Sequence, residues 1–153
     1  MTGKEKFQDI TICNISYFLG GDAPVLLFAD TPDLNSAVQD IVDLKFSNAG
    51  QICVSPNRVY VQEQIYDQVL AKFKNLAEKR FQAEIQPVVS AEALQRMLRL
   101  IQDAQDQGAQ LVTGGKAMSK PGFYLQPTVL ADVNDNMKCQ QEEIFGPILA
   151  LRR

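Results

Sequence analysis

Apolar positions along this chain switch repeatedly between short unbroken runs and helical spacing. Ile10 to Tyr17 mixes apolar and polar residues with β-branched members and predicts a strand. It leads into Phe18-Leu19-Gly20-Gly21, where paired glycines permit a tight turn. Ala23 to Ala29 is a continuous apolar run, the pattern of a strand buried on both faces. A helix start follows, with Thr31 as N-cap, Pro32 at the first helical position and Asp33 facing the dipole. Leu34, Ala37, Val38, Ile41 and Leu44 then form one apolar helical face, and Gly50 supplies the stop.

Arg58 to Gln62 predicts a strand, and Ile65, Val69, Phe73 and Leu76 a second amphipathic helix to about Phe81. Ser90 caps a third, with Leu94, Met97, Leu98, Ile101 and Ala104 inward and Gly108 past its end. Gln110 to Val112, Tyr124 to Leu130 and Ile148 to Leu151 complete the strands, with Pro127 placing its own segment at an edge or bend. Strands alternating with helices predict an α/β fold with a largely parallel sheet and flanking helices. The chain shows no internal repeat, low-complexity segment or clear domain linker.

A length of 153 residues suits one domain, able to bury about 70% of its unfolded surface. A net charge of −3 argues against nucleic-acid or anionic-membrane partners, which need a basic surface. No apolar run approaches the roughly 20 residues of a membrane span, and the N-terminus lacks the apolar core of a signal peptide. The expected location is cytoplasmic. Three widely spaced cysteines without a CxxC pattern disfavour a disulfide framework or a zinc site, so no metal is expected. The absence of histidine removes Ser-His-Asp and Cys-His nucleophile pairs, so a cysteine nucleophile here needs activation by something other than imidazole.

The chemistry centres on Phe46 to Arg58, FSNAGQICVSPNR, where Cys53 follows Gly50, Gln51 and Ile52. A cysteine on a Gly-led turn lets a substrate carbonyl approach its sulfur and the neighbouring backbone N–H groups. On composition alone Cys53 also reads as a buried small hydrophobe. Asn48 and Gln51 are placed to bond the turn, and Arg58 reads as a structural ion-pair or backbone-binding residue. Core packing is expected for Cys13 and surface exposure for Cys139. Glu143 reads either as a solvated acid or as part of a site, Phe145 equally as an anchor of its turn, and Gly114-Gly115 as a plain loop.

Phe46 to Cys53 resembles the active-cysteine motif F-x-N-x-G-Q-x-C of the aldehyde dehydrogenase superfamily. Glu142 to Pro147, EEIFGP, resembles a second signature of that family, in the right order. DAPVLLFADTPDLNSAV, GAQLVTGGK and GFYLQPTVLADV are also similar to family segments, and the stretch after Asn48 looks closest to the succinate-semialdehyde branch. The resemblance implies that residues 1–153 form a single, incomplete catalytic domain of this kind, with the cofactor-binding domain absent. It implies oxidation of aldehydes to carboxylic acids with NAD or NADP. In the family the cysteine adds to the aldehyde, a hydride leaves for the nicotinamide, and water hydrolyses the thioester. Carried over by motif, Cys53 is the nucleophile, Glu143 holds the nicotinamide ribose, and Phe145 packs near the ring.

The family's oxyanion asparagine belongs to a segment this chain lacks. Its E-L-G-G motif, whose glutamate activates the hydrolytic water, reads Phe18-Leu19-Gly20-Gly21 here. A phenyl ring accepts no proton, so an acid–base contribution of roughly 10²–10⁴-fold should be lost from deacylation. The chain carries no Gly-rich phosphate loop, stops soon after EIFGP, and has a shortened link around Phe81 to Pro87. The expectation is therefore a domain unable to complete the cycle alone. The alternatives are a non-catalytic binding or oligomerisation module, pairing with a second copy or a full-length relative, and a slow Cys53-dependent esterase.

Overall fold

The computed structural model describes residues 23–82 and 85–153. The strand expected at Ile10 to Tyr17, Cys13 and the Phe18 turn lie outside the described residues. Five strands form one sheet in the order β1 (Ala23–Leu27), β2 (Pro56–Val61), β5 (Ile148–Arg152), β4 (Thr128–Ala131) and β3 (Gln110–Thr113). The β1/β2, β2/β5 and β4/β5 pairs are parallel and β3/β4 is antiparallel, so the largely parallel expectation holds.

The period-2 geometry of β5 explains how the layers assemble. Leu149 and Leu151 enter the core on one face, with α1 (Leu34–Phe46) and α2 (Tyr66–Gln82). Ile148 and Ala150 enter the core on the other face, under α3 (Ala91–Asp106). With both faces covered, ILAL has to be apolar at every position. On α2, Tyr66, Val69, Phe73 and Ala77 face the sheet; on α3, Leu94, Met97, Leu100, Ile101 and Ala104 do. Among the described residues no helix is long and apolar enough to cross a membrane.

Several sequence expectations need correction. Asp33, not Thr31, caps α1, its carboxylate accepting from the Ser36 N–H at 3.0 Å. Thr31 instead closes the preceding turn, its N–H donating to Phe28 O. The buried face of α1 contains Val42 and Lys45 rather than Leu44. The helix ends at Phe46, before Gly50, and Ser47–Gly50 forms a tight reversal rather than a continuation of it. Strand β4 begins after Pro127 and lies inside the sheet, so the proline marks its entry and not an edge. Cys139, expected at the surface, is fully buried on the short helix α4 (Lys138–Gln141), where burial pushes its thiol up to about 11. Ser90 does cap α3, accepting from the Ala93 N–H at 3.2 Å, and Gly108 follows the helix with φ +100°.

Candidate active site

The cysteine loop begins where α1 stops. Ser47 Oγ donates to Asp43 O at 2.7 Å, ending the helix on its own last turn. Asn48, Ala49 and Gly50 then take φ of 48°, 54° and 72°, three successive left-handed residues that reverse the chain. Asparagine tolerates that region and glycine favours it, whereas Ala49 is held there by burial. A Cβ at Gly50 would overlap the Gly146 carbonyl and stand 2.9 Å from Lys45 O, so only glycine fits. This close approach brings the cysteine motif against the EEIFGP motif.

Gln51 fixes the loop by its side chain. Its Nε2 donates to Asn48 O at 3.0 Å and to Pro87 O at 3.2 Å, and its Oε1 accepts from the Val89 N–H at 2.8 Å. Asn48 Nδ2 returns a bond to Gln51 O at 3.1 Å. The amide thus pairs like a strand residue with the segment leading into α3. Beyond it, Ser55 N–H donates to Ile52 O at 2.9 Å, closing a turn with Cys53 and Val54 at its centre. That bond leaves the Cys53 N–H outside the turn's own pairing, and the Cys53 side chain is exposed. A reachable thiol with an adjacent N–H is what a carbonyl substrate requires.

The second motif is anchored from α3. Arg96 Nη1 donates to Ile144 O at 2.9 Å, while Nη2 donates to a Glu142 carboxylate oxygen at 2.9 Å and also to Glu143 O. Ile144 is fully buried, and Met97 packs so closely on Gly146 that a Cβ there would meet its sulfur at 2.5 Å. Between these anchors Phe145 adopts φ 46° and is 40% exposed. Glu143 is partly exposed beside it. A carboxylate able to accept from sugar hydroxyls next to an accessible flat ring suits a nicotinamide riboside, so these residues fit that half of NAD(P). Among the described residues no group of three or more His, Cys, Asp or Glu side chains converges as a metal site would.

Beneath both loops lies Lys45, with no exposed side-chain surface. Its Nζ donates to Asn57 Oδ1 at 3.3 Å. Burial holds its amine down at about 7, against the opposing pull of the Glu143 charge. The structure thus brings Cys53, Glu143 and Phe145 onto adjoining loops and bears out Asn48 and Gln51 as turn-bonding residues. Lys45, Arg96 and Met97 had no place in the site as the sequence was read. For Lys45 a signal existed: it falls four residues after Ile41, on the buried stripe. For Arg96 none did, because a polar position on α3 looks the same whether it meets solvent or a loop distant in sequence.

Residues 3–153 match the model of the aldehyde dehydrogenase family. The chain is 40% identical over 149 residues to succinate-semialdehyde dehydrogenase (NADP+) GabD of Escherichia coli, covering 93% of this chain and 31% of that protein. The crystal structure of succinate-semialdehyde dehydrogenase from Burkholderia pseudomallei superposes with a TM-score of 0.82 at 34% identity, over 90% of this chain and 30% of that one. The NAD+ complex of an aldehyde dehydrogenase from Bacillus cereus does so with a TM-score of 0.78 at 30% identity, over 86% and 28%. The chain spans about 30% of the length of the curated relatives it matches. With both motifs in contact and residues 3–153 matching the family model, this chain belongs to the aldehyde dehydrogenase family.

Proposed function

We propose that these residues are the cysteine-bearing part of an NAD(P)-dependent aldehyde dehydrogenase site, with Cys53 as nucleophile. The observation that carries this is the packing of Gly50 on the Gly146 carbonyl, which sets the Cys53 loop beside Glu143 and Phe145. The Cys53 thiolate adds to the aldehyde carbon; a C–S bond forms and the carbonyl π pair moves to oxygen. The Cys53 N–H, which is not the donor that closes this turn, would donate to that oxygen. Glu143 would accept from the nicotinamide ribose hydroxyls, and Phe145 would pack near the ring. NAD(P), when bound, supplies the hydride acceptor. Water then releases the acid from the thioester, a step for which Phe18, in place of the family's glutamate, offers no base. The likeness to GabD, a succinate-semialdehyde dehydrogenase by name, supports a small polar aldehyde as this site's substrate.

In this reading the 153 residues do not oxidise aldehydes by themselves, since they carry no Gly-rich phosphate loop. The test is NADH or NADPH formation across a panel of aldehydes, with Cys53→Ala as control. No formation is expected. Cys53-dependent formation would mean that a complete cofactor surface is built, for example between chains, and would overturn the inactivity. A second reading, an assembly module pairing with a copy of itself or a full-length relative in the cytoplasm, is favoured by Phe18, an apolar residue where the family's E-L-G-G motif carries a charge. A monodisperse monomer that ignores a full-length relative counts against it.

A further inference from the structure

A lysine with no exposed side-chain surface needs a reason, because an apolar side chain of similar length would bury there at less cost. Lys45 ends the buried stripe of α1, one residue before the helix stops, and Asn57 is the second residue of β2. Both are buried, and Lys45 Nζ donates to Asn57 Oδ1 at 3.3 Å across twelve positions of sequence. Everything between them is the cysteine loop. Asn57 sits where the β1/β2 ladder slips: Ala23 pairs with Pro56 and Pro24 with Arg58, so Asn57 is the extra residue of a bulge. A bulge re-aims one side chain out of the regular alternation, and this one meets the end of α1. Lys45 also holds the loop by its backbone, since a Cβ on Gly50 would stand 2.9 Å from its carbonyl oxygen.

We propose that Lys45 and Asn57 are positioning residues of this site: their buried hydrogen bond closes the cysteine loop at its base and fixes where Cys53 stands. The bonds of Asn48, Gln51 and Ser55 tie the loop to itself and to the segment before α3. The Lys45–Asn57 bond ties its entry to its exit. A hydrogen bond selects one geometry by its direction, where two apolar side chains of the same volume could slide past each other. The proposal rests on the reading of Cys53 as nucleophile and adds what holds it in place.

The test is a double-mutant cycle on the full chain with Lys45→Met, Asn57→Leu and both together, which cancels whatever else either side chain touches. Native-state amide exchange follows Gln51 and Ser55, whose N–H groups close the loop's own turns, against the amides of β5. Each single variant should speed Gln51 and Ser55 roughly tenfold relative to β5, and the double variant no more than that. The second readout is the rate of Cys53 acylation by an activated ester divided by its rate of alkylation by iodoacetamide. Alkylation needs only a reachable thiolate, whereas acylation also needs a loop N–H aligned on the developing oxyanion. The ratio should fall several-fold in each single variant and no further in the double variant. Effects that multiply in the double variant, or loop amides and a ratio unchanged in Lys45→Met, would overturn the proposal. Should Lys45→Met fail to fold, Asn57→Leu decides by whether Gln51 and Ser55 open ahead of β5. A chain whose loop amides respond in this way while Cys53 takes no acyl group refutes the dehydrogenase reading and leaves the clasp intact. Normal acylation with unmoved amides does the reverse.

Discussion

Replacing Lys45 with methionine should flatten a rise of stability with pH that the buried amine imposes. Burial holds this amine at about 7 against an ordinary 10.5. Below pH 7 folded and unfolded chains both carry the ammonium, and its desolvation cost is fully present. As pH climbs past 7 the folded amine sheds its proton, while the unfolded chain keeps its own until about 10.5. The unfolded state then binds more protons, and the folded state gains. Between pH 7 and 9 the gain is about 2 kcal/mol, two units at roughly 1.4 kcal/mol each less the half-titrated start. Cys139 opposes it: with its thiol raised from 9.0 to about 11, the unfolded chain ionises first, which removes about 0.4 kcal/mol by pH 9. The Cys139 contribution cancels between wild type and Lys45→Met. The methionine variant also leaves Asn57 Oδ1 without this donor, a cost of about 1 kcal/mol that does not change with pH. Urea unfolding of both chains at the two pH values isolates the difference. If both gain stability in parallel, the ammonium is not buried as described and the reasoning fails.

Gly50→Ala combines a φ of +72° with an overlap on the Gly146 carbonyl, and should cost about 2 kcal/mol or more in thermal or urea unfolding. Arg96→Met removes three hydrogen bonds from the Glu142 to Ile144 segment. It should lower stability by about 1–3 kcal/mol and speed amide exchange at Ile144 and Phe145 more than at the sheet. Alkylation followed by peptide mass spectrometry should modify exposed Cys53 in the native chain, and buried Cys139 only after unfolding.

The elements that apolar periodicity controls were legible in the sequence. Ser90 and the ILAL run of β5 emerged as read because these patterns are local and their burial follows from the period. So did the α3 stripe, except that Leu100 is buried where Leu98 was expected and Leu98 is only partly so. Residues whose role depends on a distant segment were not. Cys139 looked like a surface residue in a polar run, yet α4 packs it into the core beneath α3. Pro127 looked like an edge marker because nothing local shows that β4 starts one residue later and pairs on both sides. Thr31 and Asp33 are both good caps, and only the Phe28 turn decides between them. In the site, the motifs named Cys53, Glu143 and Phe145, but their contact runs through two glycine backbones. Lys45 was marked only by its place on the buried stripe of α1, and Arg96 became visible only when the loops met.

The account turns on Cys53 as a nucleophile presented by the Gly50–Gln51 loop. The most direct measurement is capture of an acyl group from an activated ester, followed by peptide mass spectrometry and compared with Cys53→Ser. The account predicts a thioester adduct on the Cys53 peptide, absent from Cys53→Ser and reduced in Gln51→Ala, where the loop loses its tie to Pro87 and Val89. Acylation elsewhere, or ester cleavage indifferent to Cys53→Ser, would contradict it.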